Sequence, residues 1–202
     1  MRRPVVSFVN SAAGPEQFPR DGLPEVVLLG RSNVGKSSLL NALCGGRPAR
    51  VSATPGRTQL INFFRVDDTF YLTDLPGYGF VRAPRAVRAS FEPLITGYLV
   101  GRPAVTLCLA LVDARHDPSP DDEQLASWLL GQGLRFTVVA TKSDKLGSGQ
   151  LATRLRLLRQ RFTAPEHAVL AVSARTNAGI PELWREIRSA VSARPPTGRT
   201  DP

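Results

Sequence analysis

The chain has 202 residues, 42% of them apolar, which fits a domain with a packed core and excludes a disordered protein. Its 26 Lys and Arg exceed its 17 Asp and Glu, and the net charge of +9 favours a polyanionic partner without distinguishing RNA, DNA or an acidic protein. No apolar run approaches the roughly 18 residues of a membrane span, and no secretory signal follows Met1, so we expect a soluble cytoplasmic protein without a membrane span. Cys44 and Cys108 lack metal-ligand spacing and are expected to be reduced thiols.

Apolar runs alternate along the chain with segments of helical spacing, which predicts an α/β fold. The apolar runs predict strands over residues 25–29, 60–66, 69–73, 105–112, 136–140 and 168–172. Helical spacing predicts helices over residues 37–43, 84–100, 121–130, 151–162 and 181–191. Only Asp67-Asp68 separates the second run from the third, which is too short for a crossover helix and predicts a hairpin. The expected fold class is a six-stranded, mainly parallel sheet with one antiparallel edge hairpin and helices on both faces.

One domain is expected to account for most of the chain. We expect residues 1–22 to be a leading segment that is flexible in part, residues 23–193 to form the domain, and residues 194–202 to be a flexible tail. No long linker and no internal repeat divides the chain.

A phosphate-binding motif follows the first predicted strand. Gly30-Arg31-Ser32-Asn33-Val34-Gly35-Lys36-Ser37 matches G-x-x-x-x-G-K-[ST] in full and precedes a predicted helix, as the motif requires. The backbone N–H groups of such a loop form an anion nest, Lys36 would reach the β- and γ-phosphates, and the Ser37 hydroxyl would ligate Mg²⁺. The alternative is a glycine-rich turn with an incidental lysine, which the flanking strand and helix disfavour.

A second motif, Asp74-Leu75-Pro76-Gly77, comes directly after the third predicted strand. At that place an aspartate can hold a magnesium-bound water, and a glycine N–H can contact the γ-phosphate. The motif alone is also compatible with an ordinary turn. Its spacing from the phosphate loop favours the role in nucleotide binding.

The tetrapeptide Thr141-Lys142-Ser143-Asp144 closes the fifth predicted strand and indicates guanine recognition. A carboxylate at Asp144 can accept hydrogen bonds from N1–H and the 2-amino group of guanine, whereas adenine offers no such donor pair. The Lys142 stem could cover the base while its ammonium ties down the phosphate loop. Ser173-Ala174-Arg175 would supply a backbone N–H to the guanine carbonyl oxygen. A charged surface turn remains the alternative for the tetrapeptide alone.

The order and strand context of these motifs resemble those of the Ras-like GTPases. Within that class the chain resembles the EngB-type ribosome-biogenesis GTP-binding proteins, of the group that includes TrmE, Era and EngA. The resemblance rests on residues 30–38, Thr54-Pro-Gly-Arg-Thr-Gln59, Asp74-Leu-Pro-Gly-Tyr-Gly79 and Val112-Asp-Ala-Arg-His116, and it covers about residues 25–190. It implies a Ras-like P-loop GTPase fold and a GTPase with GTP/GDP and Mg²⁺ as cofactors.

The resemblance also implies partners and a cellular role. Family members act in assembly of the large ribosomal subunit, so its precursor and ribosomal RNA are the expected partners, and the family is associated with bacterial cell division and septation. We expect a monomer.

The resemblance assigns roles to individual residues. It places Thr58 as the switch threonine that joins Ser37 on Mg²⁺, although a polar loop residue is an equally good interpretation from the sequence alone. Lys36, Thr58 and Gly77 are the expected catalytic residues, since they would position phosphate and water without an obvious general base. The metal residues are Ser37, Thr58 and, through water, Asp74. The full predicted GTP-binding set is Gly30, Arg31, Ser32, Asn33, Val34, Gly35, Lys36, Ser37, Ser38, Gly56, Arg57, Thr58, Asp74, Leu75, Pro76, Gly77, Thr141, Lys142, Ser143, Asp144, Ser173 and Ala174.

Two residues bear on the rate of hydrolysis. Tyr78 occupies the place where Ras-type enzymes carry the glutamine that orients the attacking water, so intrinsic hydrolysis should be slow. The resemblance places Asn33 where some related GTPases hold K⁺ beside the phosphates, and such an ion could supply charge as an arginine finger does. The alternative is that Asn33 only shapes the loop.

Two arginine clusters are candidates for contact with RNA phosphates. Arg82, Arg85 and Arg88 follow the Asp74 motif at spacings of three, in the region that the γ-phosphate should reorder. The second cluster comprises Arg154, Arg156, Arg159 and Arg161. A solvated arginine face is the alternative for either cluster.

Two other functions compete with a GTP-hydrolysing switch. One is a weakly hydrolysing GTP-binding scaffold that docks on RNA or another partner. The other is a P-loop small-molecule kinase, which residues 141–144 and the missing lid-like insertion disfavour.

Overall fold

The computed structural model describes residues 4–46, 60–77, 95–162 and 169–193, and within these ranges seven strands form one sheet. The strands are β1 (Val6–Ala12), β2 (Glu25–Gly30), β3 (Ile61–Val66), β4 (Phe70–Asp74), β5 (Val105–Asp113), β6 (Phe136–Thr141) and β7 (Val169–Ala171). Their order in the sheet is β1-β3-β4-β2-β5-β6-β7. The five strands from β4 to β7 in that order are parallel, whereas β1 and β3 are antiparallel to their neighbours. The predicted α/β class with a mainly parallel sheet is confirmed.

Along the chain, one α-helix follows each of the strands β2, β4, β5, β6 and β7. These helices are α1 (Lys36–Leu43), α2 (95–100 among the described residues), α3 (Pro120–Gly131), α4 (Ser148–Arg161) and α5 (Ile180–Ser192). Ser119 begins α3 as its N-cap, because its hydroxyl accepts from the Asp122 amide while the Asp122 carboxylate accepts from the Ser119 amide. The predicted helix 84–100 is described only from residue 95 onward.

The hairpin between β3 and β4 forms as the two-residue Asp67-Asp68 connection predicts. Both turn residues have positive φ, 47° and 55°, which suits the twist of a two-residue hairpin. The hairpin does not lie at the edge of the sheet, so that part of the prediction is wrong. Strand β1 pairs with β3 and takes the edge position.

The number of strands is also larger than predicted, because β1 lies within the segment expected to lead into the domain. Most of its residues are exposed or half-buried, and the ladder to β3 is interrupted by a bulge between Phe8 and Asn10. Because few of its side chains are buried, this edge strand is held in the sheet mainly by its backbone hydrogen bonds to β3. The apolar residues of β1 are interrupted by Ser7, Asn10 and Ser11, so the strand is not one continuous apolar run in the sequence.

Two apolar cores cover the two faces of the sheet. Alternate residues of the central strand β2 contribute to each, since Val27 and Leu29 pack in one core while Val26 and Leu28 pack in the other. All six residues of β2 are buried. Burial on both faces explains why the parallel strands are continuous apolar runs in the sequence.

The cysteines are free thiols, with Cys108 buried and Cys44 half-buried. Burial raises the pKa of both thiols to about 12, so neither is a reactive thiolate near neutral pH. Among the described residues, no helix is long and apolar enough to cross a membrane.

The parallel strands bring the predicted motifs to one edge of the sheet. Strands β2, β4, β5 and β6 end at Gly30, Asp74, Asp113 and Thr141, and Ser173 follows β7. The carboxyl ends of parallel strands meet at the same edge, where ligands bind in open α/β sheets.

Candidate nucleotide-binding site

The loop between β2 and α1 borders a cleft of about 390 Å³. Gly35 precedes the first residue of α1 with a φ of 109°, a conformation that L side chains rarely adopt. The helix can therefore begin at Lys36 with its amino end facing the cleft. The lining residues all belong to the predicted GTP-binding set and are Arg31, Ser32, Asn33, Gly35, Lys36, Ser37, Ser38, Gly77 and Lys142.

Lys36 and Asp74 form an ion pair between the phosphate loop and the end of β4. The Lys36 ammonium nitrogen lies 2.9 Å from Asp74 Oδ1, where the Lys36 side chain is 12% exposed and that of Asp74 8% exposed. Gly77 lies against the same loop, because a Cβ atom built on it would be only 3.2 Å from the amide nitrogen of Ser32. The Asp74–Gly77 motif therefore packs directly on the phosphate loop.

Thr141 and Lys142 fix the phosphate loop from the end of β6. The Thr141 hydroxyl lies 2.6 Å from the carbonyl oxygen of Val34 and 3.0 Å from that of Val112, so it links the loop to β5. Lys142 has a φ of 58°, and its ammonium donates to the Asn33 carbonyl at 2.8 Å. The Lys142 ammonium therefore binds the phosphate loop directly.

Asp113 supports Lys142 and was not among the predicted site residues. Its Oδ2 accepts from the Lys142 ammonium at 2.9 Å, and Arg115 donates to both carboxylate oxygens at 2.9 and 2.8 Å. Burial opposes ionisation of this carboxyl, but hydrogen bonds from Arg115 and Lys142 outweigh it and hold the pKa of Asp113 well below its usual range. Asp113 is therefore a carboxylate at neutral pH and anchors the Lys142 ammonium.

Asp144 follows β6 and faces the residues after β7. The Ser173 hydroxyl donates to Asp144 Oδ1 at 2.7 Å, and Arg175 Nε donates to Oδ2 at 2.8 Å. These hydrogen bonds, from Ser173 first and Arg175 second, lower the pKa of Asp144. Asp144 is therefore ionised at neutral pH and can act only as a hydrogen-bond acceptor.

Ser173 and Ala174, the predicted GTP-binding residues that follow β7, differ in their backbone hydrogen bonds. The Ser173 N–H donates to the Ala178 carbonyl at 2.9 Å. The Ala174 N–H donates to no protein group among the residues that the structure describes. Of the two amides, that of Ala174 is the one open to a ligand.

Some predicted functional residues lie outside the described residues. They are Gly56, Arg57 and Thr58 of the predicted GTP-binding set, Tyr78, and the first arginine cluster of Arg82, Arg85 and Arg88. The remaining predicted GTP-binding residues lie on the phosphate loop, in the first turn of α1 and at the ends of β4, β6 and β7, all at one edge of the sheet.

Known proteins that are similar to this chain are GTPases and GTP-binding proteins. A family model described as "50S ribosome-binding GTPase" matches residues 25–142. A probable GTP-binding protein EngB from Syntrophus aciditrophicus is 45% identical over 191 residues, which are 94% of this chain and 97% of that protein. The residues matched by the family model include the phosphate loop and the Asp74 motif, and they reach Lys142.

Solved structures share the fold. The crystal structure of a probable GTP-binding protein EngB has a TM-score of 0.71 at 22% identity, over 84% of this chain and all of that one. Era, crystallised with MgGDPNP and nucleotides 1506–1542 of 16S ribosomal RNA, has a TM-score of 0.66 at 22% identity, over 89% of this chain and 59% of that one. The motifs, the fold and the relatives agree: the chain is a GTPase and belongs to the EngB family of GTP-binding proteins.

Proposed function

We propose that this GTPase is a molecular switch that acts in assembly of the large ribosomal subunit in the bacterial cytoplasm, with an associated role in cell division and septation. The observation that carries the ribosomal part is the family match over residues 25–142, since that family is described by its binding to the 50S ribosome. The net charge of +9 agrees with an RNA-rich partner.

The cleft is proposed to bind GTP and GDP through residues with separate roles. Backbone amides of residues 30–35 and the amino end of α1 would surround the phosphates, with Lys36 on the β- and γ-phosphates. Asp144 would accept from the guanine edge, and the Ala174 amide would donate to the guanine carbonyl oxygen. The Gly77 amide would contact the γ-phosphate.

The residues present fit a magnesium ion that binds together with the nucleotide. Mg²⁺ takes oxygen ligands and keeps several waters, and the Ser37 hydroxyl and the Asp74 carboxylate are donors of that type. No group of three or more His, Cys, Asp or Glu among the described residues could hold a metal by itself, so the ion would depend on phosphate oxygens. When bound, Mg²⁺ neutralises charge on those oxygens. Thr58 would complete the set in the GTP state.

Hydrolysis is expected to be faster in K⁺ than in Na⁺ at matched ionic strength, because the Asn33 side chain would hold K⁺ beside the phosphates. Asn33 is exposed at the cleft with a φ of 63°. Asn33→Gly removes the side chain and keeps the backbone conformation, so this variant should lose the preference for K⁺. Single-turnover GTP cleavage in the two salts measures the effect. Equal wild-type rates would leave Asn33 with a role in loop shape alone.

The second arginine cluster lies on α4 and consists of two pairs that differ in their contacts. Arg154 and Arg161 form ion pairs with Asp117 and Glu123. Arg156 and Arg159 are exposed and form no ion pair with the residues that the structure describes. The second pair is therefore proposed to contact ribosomal RNA phosphates.

Co-sedimentation with large-subunit precursor particles tests the ribosomal role. We expect tighter binding with a non-hydrolysable GTP analogue than with GDP, and a fall of log affinity with log salt. Each lost phosphate contact should reduce that slope by roughly 0.7–0.9, so Arg156→Ala with Arg159→Ala should flatten it. Arg154→Ala with Arg161→Ala removes the same charge from the same helix and is the matched control.

Two results of this experiment would contradict the proposal. Absence of binding to the particles in both nucleotide states would contradict the ribosomal role. A wild-type slope in the Arg156→Ala, Arg159→Ala double variant would exclude Arg156 and Arg159 as the RNA contact.

A further inference from the structure

Both oxygens of the Asp144 carboxylate already accept hydrogen bonds from protein side chains. Ser173 donates to Oδ1 at 2.7 Å and Arg175 Nε donates to Oδ2 at 2.8 Å. Ser173 is completely buried, whereas the side chain of Arg175 is 69% exposed. Ser173 therefore approaches the carboxylate from the protein interior, and Arg175 approaches it from the solvent side.

A guanine base can reach this carboxylate only from the solvent side. Its N1–H and 2-amino group need both carboxylate oxygens. The Ser173 hydrogen bond can stay, because it comes from the interior and each carboxylate oxygen can accept more than one hydrogen bond. Arg175 lies on the side from which the base arrives, so its guanidinium must leave Oδ2 when guanine binds.

We propose that Arg175 is a specificity-determining residue, which competes with the guanine 2-amino group for Asp144 and thereby lowers the preference of the site for guanine over purines without that group. The inference rests on the proposed assignment of Asp144 to the guanine edge. The competition is modest in size, because Arg175 is exposed and water screens its charge.

A nucleotide with hypoxanthine as its base separates the effect of Arg175 from the other contacts of the nucleotide. Hypoxanthine carries N1–H and the same carbonyl as guanine but has no 2-amino group, so it uses one carboxylate oxygen and leaves the other to Arg175. GDP thus has to displace Arg175, whereas inosine diphosphate does not. Contacts of the protein with the phosphates, the ribose and the face of the purine are the same for the two nucleotides and cancel in the ratio of their affinities.

The test measures the affinities of GDP and inosine diphosphate by calorimetry for wild type and Arg175→Ala. The ratio in favour of GDP should rise roughly two- to fivefold in the variant, the size expected for loss of an exposed ion pair. Raising the salt from about 0.05 to about 0.5 M should raise the wild-type ratio, because salt screens the Arg175–Asp144 pair, and should leave the variant's ratio unchanged. Arg185→Ala removes another exposed arginine, paired with Glu182 on α5, and should behave as wild type.

Two outcomes overturn the proposal and can be told apart with Asp144→Asn. If Asp144→Asn loses the preference for GDP while Arg175→Ala keeps the wild-type ratio, the role of Arg175 is wrong and the guanine assignment stands. If Asp144→Asn keeps the wild-type ratio, the assignment of Asp144 to guanine is wrong, and the role of Arg175 fails with it.

Discussion

Asp144→Asn is expected to weaken binding of GTP and GDP by about tenfold or more, as loss of a charge-assisted hydrogen bond predicts. The wild-type carboxylate offers two acceptors to the two donors of the guanine edge. The asparagine amide offers one acceptor and one donor, so its NH₂ group faces a donor of the base. A donor that faces a donor leaves both groups without a partner in a partly buried site. Calorimetry with GDP measures the loss.

Xanthosine diphosphate provides the positive control for this variant. Xanthine carries a carbonyl oxygen where guanine carries the 2-amino group, so the amide introduced by Asp144→Asn would pair its NH₂ donor with an acceptor. The variant should therefore bind xanthosine diphosphate better than the wild type does, which also shows that it is folded. Unchanged GDP affinity would mean that Asp144 does not contact guanine.

Lys36→Ala is expected to lower the affinity for GDP and GTP by about a hundredfold, because the charged hydrogen bonds of one ammonium to two phosphates would be lost. The structure adds a second consequence. Lys36 also pairs with Asp74 at 2.9 Å, and the Asp74 side chain is 8% exposed, so the variant leaves a nearly buried carboxylate without this partner. The nucleotide-free variant should therefore also unfold at a lower temperature than the wild type.

Lys145→Ala is the matched control for the loss of Lys36. Lys145 is exposed and does not line the cleft, so this variant should bind GDP as the wild type does. Calorimetry reports the affinities, and thermal unfolding without nucleotide separates the effect on binding from the effect on stability. GDP binding by Lys36→Ala within about twofold of the wild type would contradict the assignment of this loop to the phosphates.

Much of the fold could be predicted because burial on both faces makes parallel strands visible in the sequence. The predicted strands at residues 25–29 and 136–140 correspond to β2 and β6, each of which gains one residue in the structure. The hairpin could be predicted because the two residues Asp67-Asp68 are too few to form a helix between the strands. The phosphate loop could be predicted because its motif has a fixed spacing of glycine, lysine and serine between a strand and a helix.

The features that could not be predicted depend on contacts between distant parts of the chain. Strand β1 is held at the edge by pairing with β3, and polar residues at Ser7, Asn10 and Ser11 interrupt its apolar pattern. Asp113 becomes part of the site through Lys142, 29 residues away, and Arg175 through Asp144, 31 residues away. The sequence shows Asp113 within the Val112–His116 motif of the family resemblance and at the end of a predicted strand, but neither feature shows that it contacts Lys142.

The most direct test of whether this cleft belongs to a guanine-specific GTPase is single-turnover cleavage of GTP in the presence of Mg²⁺. A parallel reaction with ATP is the control. We predict slow conversion of GTP to GDP and phosphate, no cleavage of ATP, and loss of GTP cleavage in Lys36→Ala. Binding of GTP without cleavage would favour the weakly hydrolysing scaffold over the switch. Cleavage of ATP at the rate of GTP would contradict the assignment of residues 141–144 to guanine recognition.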